Sequence, residues 1–340
     1  MRGGSGREAD PTAPVVAIAF TPASRSDALN LRGRSADTAS SYYRSIAVAF
    51  TTHQRFSSAR LQLVTTVEPP SPWREVFADL GVEIVLVPFA HSPQPRFAPA
   101  WNASLYTLDA LDHYRSSPAR AVLLLDPDAL AVGDLGGLLA EAEQEVLVYR
   151  LPLIPDRTSN GLSPRQAGLI HAELDPRFQG PVAQVGGEFL GFAPASLQEW
   201  WPRVELAYAD SVARTAAGRL PRMSTEEHLL TFALRDVATR DCADRVQRIW
   251  TAPRYRSHDH VSDDVVVWHL PAEKDRGIAR IARWILPGTG RHAGGSGLDD
   301  AALRCRLARE LGVGPRAPGR WAYDTFARAV RRLQARRSVR

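Results

Sequence analysis

The chain has 340 residues, 44% of them hydrophobic and 23% charged, the makeup of one large α/β domain or two small ones rather than of a disordered or fibrous chain. The net charge is +5, yet residues 316–340 alone hold eight arginines against one acid, Asp324, so the body is near neutral, which argues against a nucleic-acid-binding core. Cys242 and Cys305 lie far apart and form no Cys-x-x-Cys, so neither a disulfide framework nor a zinc site is expected.

Residues 1–14 read as a flexible tail without the apolar core of a signal peptide. No apolar run reaches the ~18 residues of a membrane span. A cytoplasmic protein is the expectation. Val15–Phe20 is an apolar run after Pro14 and predicts a first strand; 21–39 is polar and predicts a loop. A helix is expected over Tyr42–Thr52, a strand over Leu61–Thr66, and a helix over Pro69–Leu80 that is entered through prolines and capped by Gly81. Val82–Val87 reads as a third strand. Trp101, Leu105, Leu108 and Leu111 mark a helix face within Trp101–Tyr114. Ala121–Leu125 is a fourth strand, Leu135–Ala142 a short helix and Val146–Tyr149 another strand. Such alternation over the first 150 residues predicts a parallel, doubly wound sheet, whose ligands gather at the carboxyl ends of the strands.

The second half is more mixed. Phe189–Phe192 is a short apolar stretch after Gly186-Gly187. Helices are expected over Ser196–Arg214 and Thr225–Arg235, with Thr225 as N-cap and Glu226-Glu227 in an acidic first turn. Val265–Trp268 reads as a late strand ending in His269, and Gly277–Ile285 as a helix before a Gly-rich segment. In the tail, Trp321, Phe326, Val330 and Leu333 follow helical spacing between arginines, the pattern of a terminal helix with a basic face that packs on the body or lies on an anionic membrane surface.

The most informative octapeptide is Ala121-Val-Leu-Leu-Leu-Asp-Pro-Asp128. The apolar run suits a strand buried on both faces. Pro127 cannot donate to a central ladder, so the strand must end there. Asp126 and Asp128, two apart on an extended chain, point to one side and repel each other unless a cation lies between them; hard carboxylate oxygens suit Mg²⁺ or Mn²⁺. The competing reading is a strand followed by an ordinary Asp-Pro turn. Other motifs are weaker. There is no P-loop and no Gly-x-Ser-x-Gly elbow, and Ser257-His258-Asp259-His260 reads as a solvated polar loop sooner than as a metal site.

Two enzyme classes place Asp-x-Asp after a buried strand. In haloacid-dehalogenase phosphatases the first Asp is a nucleophile; that motif usually stands near the N-terminus, whereas here it lies over 100 residues in and is followed by Ala129-Leu130. The second class fits more of the chain. Val122–Leu135, including Gly133-Asp134, resembles the metal motif of glycosyltransferase family 8, the glycogenin and bacterial galactosyl- and glucosyltransferase family of the GT-A fold. Gly186-Gly187-Glu188-Phe189-Leu190-Gly191-Phe192 is similar to its donor-sugar segment, Glu226-Glu227-His228-Leu229-Leu230 to its Asp-Gln-Asp-x-Leu, and Val266-Val267-Trp268-His269 with Lys274 to its His…Lys ending. The four blocks occur in the family's order over roughly residues 15–280. The chain departs from the pattern in its Leu270-Pro271-Ala272-Glu273 insert, in acids at 226–227, and in Trp101, Asn102 and Tyr106 standing where a basic residue is usual. Donor sugar and stereochemical outcome therefore do not carry over. Independently, Lys274 is the only lysine among 42 basic residues, and it falls where the resemblance wants a diphosphate-binding ammonium.

The resemblance implies an α/β chain of GT-A fold: a single Rossmann-like mixed sheet flanked by helices over 15–285, divided at about 135 into a nucleotide half and a donor-sugar and acceptor half, with 286–340 as a loop and basic C-terminal helix. It implies a metal-dependent transfer of a sugar from a nucleotide-diphosphate sugar, most readily a UDP-sugar, to a glycan, lipid or small-molecule acceptor. Mn²⁺ or Mg²⁺ is held by Asp126, Asp128 and His269, with Lys274 and Asp126 at the diphosphate. Thr21 and Ser26 follow the first strand where the nucleotide is expected, and Tyr43 is placed to stack on its base. Gly186 and Gly187 let the backbone approach the sugar. Glu188, Glu226 and Glu227 are expected to contact sugar hydroxyls or to supply a catalytic base. No nucleic acid is expected as partner; the basic tail allows peripheral contact with the inner face of a membrane. The alternatives are a phosphatase using Asp126 as nucleophile and a non-catalytic GT-A-like binding module.

Overall fold

A computed structural model of the chain describes residues 10–22, 38–94, 96–97, 101–251, 261–286 and 298–314. Ser26, the His258–His260 motif and the basic segment 316–340 lie outside the described residues.

In chain order the first half runs β1 (Val15–Phe20), α1 (Thr38–Phe56), β2 (Arg60–Thr65), α2 (Trp73–Asp79), β3 (Val82–Leu86), α3 (Tyr106–Tyr114), β4 (Val122–Leu125), β5 (Ala129–Ala131), α4 (Gly136–Ala142) and β6 (Val146–Arg150). The second half runs α5 (Pro164–Leu174), β7 (Val185–Phe192), α6 (Leu197–Ala216), α7 (Glu226–Ala233), β8 (Thr239–Asp241), β9 (Val246–Arg248), β10 (Val267–His269), α8 (Gly277–Ile285) and α9 (Asp300–Leu311). None of the described helices is long and apolar enough to cross a membrane.

Seven strands form one mixed sheet in the order β3-β2-β1-β4-β7-β6-β8, flanked by helices on both faces. β1 to β4 are parallel neighbours, as the alternation predicts. The mixed character of the sheet, as the resemblance implies, comes from one strand. β7, contributed by the second half, inserts antiparallel between β4 and β6, pairing Leu125 with Phe189 and Leu147 with Gly191. Gly191 is needed in that slot, because a β-carbon there would stand 3.0 Å from Leu123 and Leu147 side chains. Gly186 and Gly187, which precede the apolar stretch read at Phe189–Phe192, are part of the same eight-residue strand.

The period of two sorts the core. Val16, Ile18, Leu123 and Leu125 join the layer under α1, α2, α8 and α9, while Val15, Ala17, Val122 and Leu124 join the layer under α3, α6 and α7. Each buried aliphatic side chain contributes ~1.5–3 kcal/mol. A second, three-stranded sheet, β5-β10-β9, was not anticipated. It matters for function, since its register puts His269 opposite both Ala129 and Arg248. α1 anchors it. His53 Nε2 donates to the Ala129 carbonyl at 3.0 Å, and Thr52 Oγ1 accepts from Ala131 N at 3.1 Å. His53 is fully buried, and burial pushes its imidazole down to about 4, so it stays neutral.

Helix ends follow local chemistry. Ser163 and Gln166 close a capping box on α5 with Pro164 at its first position, and Asp299 Oδ1 accepts from Ala302 N to start α9. Thr225 does sit at the N-cap of α7 in extended conformation, but its side chain makes no cap bond. Trp101 is not part of the helix expected there. It precedes a single turn of 3-10 helix, Asn102–Leu105, and holds a left-handed φ of 72°.

Candidate functional site

Pro127 breaks the chain between β4 and β5, so Asp126 and Asp128 leave the carboxyl edge of one sheet just as the other begins. β7 starts beside them: Asp126 N donates to the Glu188 carbonyl at 3.1 Å. From 140 residues downstream, β10 delivers His269 against β5, and Leu270 N donates to the Asp128 carbonyl at 3.1 Å. One ligand atom from each of Asp126, Asp128 and His269 falls within 4.8 Å of the others. His269 Nε2 lies 3.1 Å from Asp126 Oδ2 and 3.4 Å from Asp128 Oδ1. Lys274 Nζ is ion-paired with Asp128 Oδ2.

This set fits a divalent cation. Asp128 Oδ1 is buried and has no hydrogen-bond partner, an orphaned acceptor facing the imidazole. Two carboxylates and an imidazole are a donor set suited to Mg²⁺ or Mn²⁺. Burial alone would raise the Asp128 pKa; the charges of Lys274 and His269 override it and hold the group ionised, well below the usual carboxylate range. Burial would likewise push His269 down, but Asp128, Asp126 and Glu188 hold it well above its ordinary range. A cation taken up by these three residues would have to displace the imidazole proton.

Behind His269 lies a second cluster. Glu188 is fully buried and forms a bidentate pair with Arg248, through Nε at 2.6 Å and through Nη2. Its Oε1 is 3.4 Å from His269 Nδ1. Burial opposes ionisation, yet Arg248 and His269 bring the Glu188 pKa down to about 2. Arg248 Nη2 also reaches Glu227 Oε1 at 2.6 Å. Glu227 completes its bonds with Asn160 Nδ2 at 2.8 Å and Gly187 N at 3.1 Å. One guanidinium thus serves two buried acids. Glu226 has no such partner. Its Oε2 is hydrogen-bonded to Ser104 Oγ, and burial, then the charges of Glu227 and Asp126, push its pKa up to about 8 despite that bond.

These groups border one cleft at the carboxyl edge, lined by Thr21, Tyr42, Trp101, Ser104, Asp126, Asn160, Glu226, Glu227, Arg248, Trp250, His269 and Lys274. Its aromatic walls and few convergent polar groups are the makeup of a small-molecule site.

The structure brings together most of the residues singled out in the sequence, in altered positions. Thr21 lines the cleft, its hydroxyl 3.0 Å from that of Thr66. Tyr43 does not: it is buried in the core, edge-on to Phe20 and Phe77. On α1 it shares a face with Ile46, Ala47 and Phe50, and successive helical residues point about 100° apart. Its neighbour Tyr42 faces the cleft instead, stacked on Phe20 at 5.3 Å with the Lys274 ammonium 5.4 Å over its ring. Glu188, expected to touch sugar, is enclosed beneath the cleft by Arg248 and His269. Gly186 and Gly187 make room for acids: a β-carbon at 187 would stand 2.5 Å from Glu226 Oε1 and 3.1 Å from Glu227 Cγ, and one at 186 would collide with the Glu188 carboxylate. Ser104, Asn160, Arg248 and Trp250 gave no signal in the sequence. Arg248 is one of many arginines, and only its register with His269 marks it.

No family model and no curated protein sequence matches the chain. Among solved structures it is similar to mouse xyloside xylosyltransferase 1 in its apo form, with 11% identity and a TM-score of 0.45, covering 75% of this chain and 96% of that one. It is also similar to galactosyltransferase LgtC in complex with donor and acceptor sugar analogues, with 11% identity and a TM-score of 0.46, covering 91% of this chain and 99% of that one.

Proposed function

We propose that the chain is a metal-dependent glycosyltransferase of the GT-A type that moves a sugar from a nucleotide-diphosphate sugar, a UDP-sugar first among them, to an acceptor hydroxyl. The observation that supports this most is the meeting of Asp126, Asp128 and His269 within 4.8 Å, with the chain's only lysine on the same carboxylate. When bound at these three residues, Mn²⁺ or Mg²⁺ would supply charge that holds the diphosphate and favours its departure as a leaving group.

The chain's own residues account for the rest. Lys274 offers a compact ammonium to the diphosphate, and Asp126, 40% exposed at its side chain, is the ligand nearest solvent. Tyr42, in place of Tyr43, presents the flat ring for a nucleotide base, with Thr21 at the end of β1 beside it. Glu226, Glu227 and Asn160 face the sugar; the glycines of β7 keep them in place rather than touching it. Glu188 and Arg248 are positioning residues that fix His269 and Glu227. The acceptor is a glycan, lipid or small molecule. Contact of the basic segment 316–340 with an anionic surface is part of this reading, and its removal should leave donor hydrolysis intact.

The test is incubation with a panel of UDP- and GDP-sugars and Mn²⁺, following release of the nucleoside diphosphate. Metal-dependent release that Asp128→Asn abolishes supports the transferase. Release of phosphate from phosphomonoesters with label trapped on Asp126, and no turnover of any sugar nucleotide, would instead favour the phosphatase chemistry.

A further inference from the structure

The polar groups that line the cleft divide into those with a partner and those without. Its cationic side chains among the described residues are all committed: Lys274 to Asp128, His269 to Asp126 and Asp128, and Arg248 to Glu188 and Glu227. Glu227 completes its bonds with Asn160 and the Gly187 amide. Glu226 has no cation facing it among the described residues. It accepts from the Ser104 hydroxyl and from its own backbone amide, and the other charges around it are the acids Glu227 and Asp126.

Thr225, next to it, is an independent signal. It is 1% exposed and lines the cleft, and its Oγ1 has no hydrogen-bond partner. A threonine at this N-cap position ordinarily accepts from an amide two or three residues on. Here His228 takes over the end of α7. Its amide donates to the Thr225 carbonyl at 3.1 Å, and its Nδ1 accepts from Ser224 N at 3.1 Å. The hydroxyl is left over, and a buried hydroxyl is costly to leave unpaired. Asn160 spends its amide nitrogen on Glu227, so what it offers the cleft is its carbonyl oxygen.

This end of the cleft therefore presents a carboxylate, an amide oxygen and a hydroxyl: acceptors, with negative charge and no counter-charge among the described residues. An ammonium is their complement, with three donors, no acceptor and a positive charge. A sugar hydroxyl would fill the hydrogen bonds but not match the charge. A uronate or a phosphate would meet Glu226 and Glu227 as one more anion. Trp101 and Trp250 line the cleft as well, and an indole face suits both a pyranose ring and a cation it carries.

We propose that the substrate of this cleft is an aminated pyranose, whose ammonium docks on Glu226 with Thr225 Oγ1 and Asn160 Oδ1 as further acceptors. The sugar rests on the transferase reading above; the ammonium rests on the cleft alone. The amine belongs either to the transferred sugar or to the acceptor, and the experiment separates the two.

Ligand-observed NMR titration of the full chain at neutral pH tests the ammonium without any nucleotide. The probes are glucose, glucuronate and the four glucoses that carry one amine, at C2, C3, C4 or C6. At least one amino sugar should bind about tenfold or more tighter than glucose, the scale of a charge-assisted hydrogen bond, and glucuronate should bind more weakly than glucose. Glu226→Gln, with its fold checked by circular dichroism, should abolish the preference for the amine. No amino sugar binding tighter than glucose, or a preference that survives in the folded E226Q variant, overturns the proposal. Turnover then locates the amine. Faster release of UDP from UDP-glucose when the preferred amino sugar is added places it on the acceptor; faster hydrolysis of UDP-glucosamine than of UDP-glucose and UDP-N-acetylglucosamine places it on the donor. Turnover of UDP-glucose that neither change accelerates overturns the amine's part in the reaction and leaves the transferase reading standing. A panel with no turnover of any sugar nucleotide removes the transferase reading, while the titration still decides the ammonium subsite.

Discussion

Lys274 reaches back 146 residues to pair with Asp128, and both side chains are almost wholly buried. A lone buried carboxylate in this place would be prohibitively costly, so the pair is what permits Asp128 to exist ionised at the edge of two sheets.

Lys274→Met should therefore destabilise the chain by ~3–5 kcal/mol by stripping the buried carboxylate of its partner. Lys274→Met with Asp128→Asn should recover much of that loss without recovering donor hydrolysis. Urea denaturation of the two variants measures this. The sign in pH is fixed by Asp128. Its folded pKa lies below the ordinary 3.8, so the stabilisation is present above that value and fades as acid protonates the group in the fold.

Tyr42 and Tyr43 separate binding from folding. Tyr43→Ala removes a fully buried ring between Phe20 and Phe77 and should cost ~3–5 kcal/mol. Tyr42→Phe and Tyr42→Ala should change stability far less, with the alanine variant weakening nucleotide binding about tenfold and the phenylalanine variant retaining it. Thermal denaturation and nucleotide titration side by side make the comparison.

Arg248→Met leaves Glu188 and Glu227 without their shared cation, and a loss of ~3–5 kcal/mol is expected. Glu188→Gln in the same chain should restore part of the stability, since the coupling runs through their direct pair. Equal losses in the single and double variants would show that Arg248 does not act through Glu188. A double-mutant cycle reads this directly.

His171 is buried, with neither ring nitrogen hydrogen-bonded, against Phe178 and Phe232. Burial, then the charges of Arg235 and Arg203, push its pKa down to about 3. Its contribution to stability is complete above the ordinary 6.5 and is lost as pH falls toward 3, because the unfolded chain takes up the proton first. His171→Leu should flatten the fall in stability over that window, measured as urea midpoints at stepped pH.

The fold was largely legible because its signals are local. The apolar runs at Val15–Phe20 and Ala121–Leu125 and the Pro127 break gave the parallel half and the carboxyl-edge acids. Asp126 and Asp128 stand out by their spacing at a strand end, while His269 and Lys274 are marked by the resemblance to the family's His…Lys ending, with which the rarity of lysine agrees. The antiparallel insertion of β7 and the small sheet escaped, because strand pairing at long range leaves no mark in a three-residue segment such as Ala129–Ala131. Tyr43, expected at the nucleotide, lies in the core while Tyr42 lines the cleft, because the sequence does not set the helical phase of α1. Arg248, Ser104 and Asn160 were invisible, since their roles come from the carboxylates that meet them in space.

The most direct measure of the proposed cation-assisted nucleotide site is calorimetric titration of UDP and GDP into the chain, with and without Mn²⁺. Binding of one nucleotide that requires the metal, is lost in Asp128→Asn and His269→Ala, and persists in Tyr43→Phe is the result expected. Nucleotide binding that is indifferent to Mn²⁺ and to Asp128, or no binding of either nucleotide by the folded chain, would contradict it.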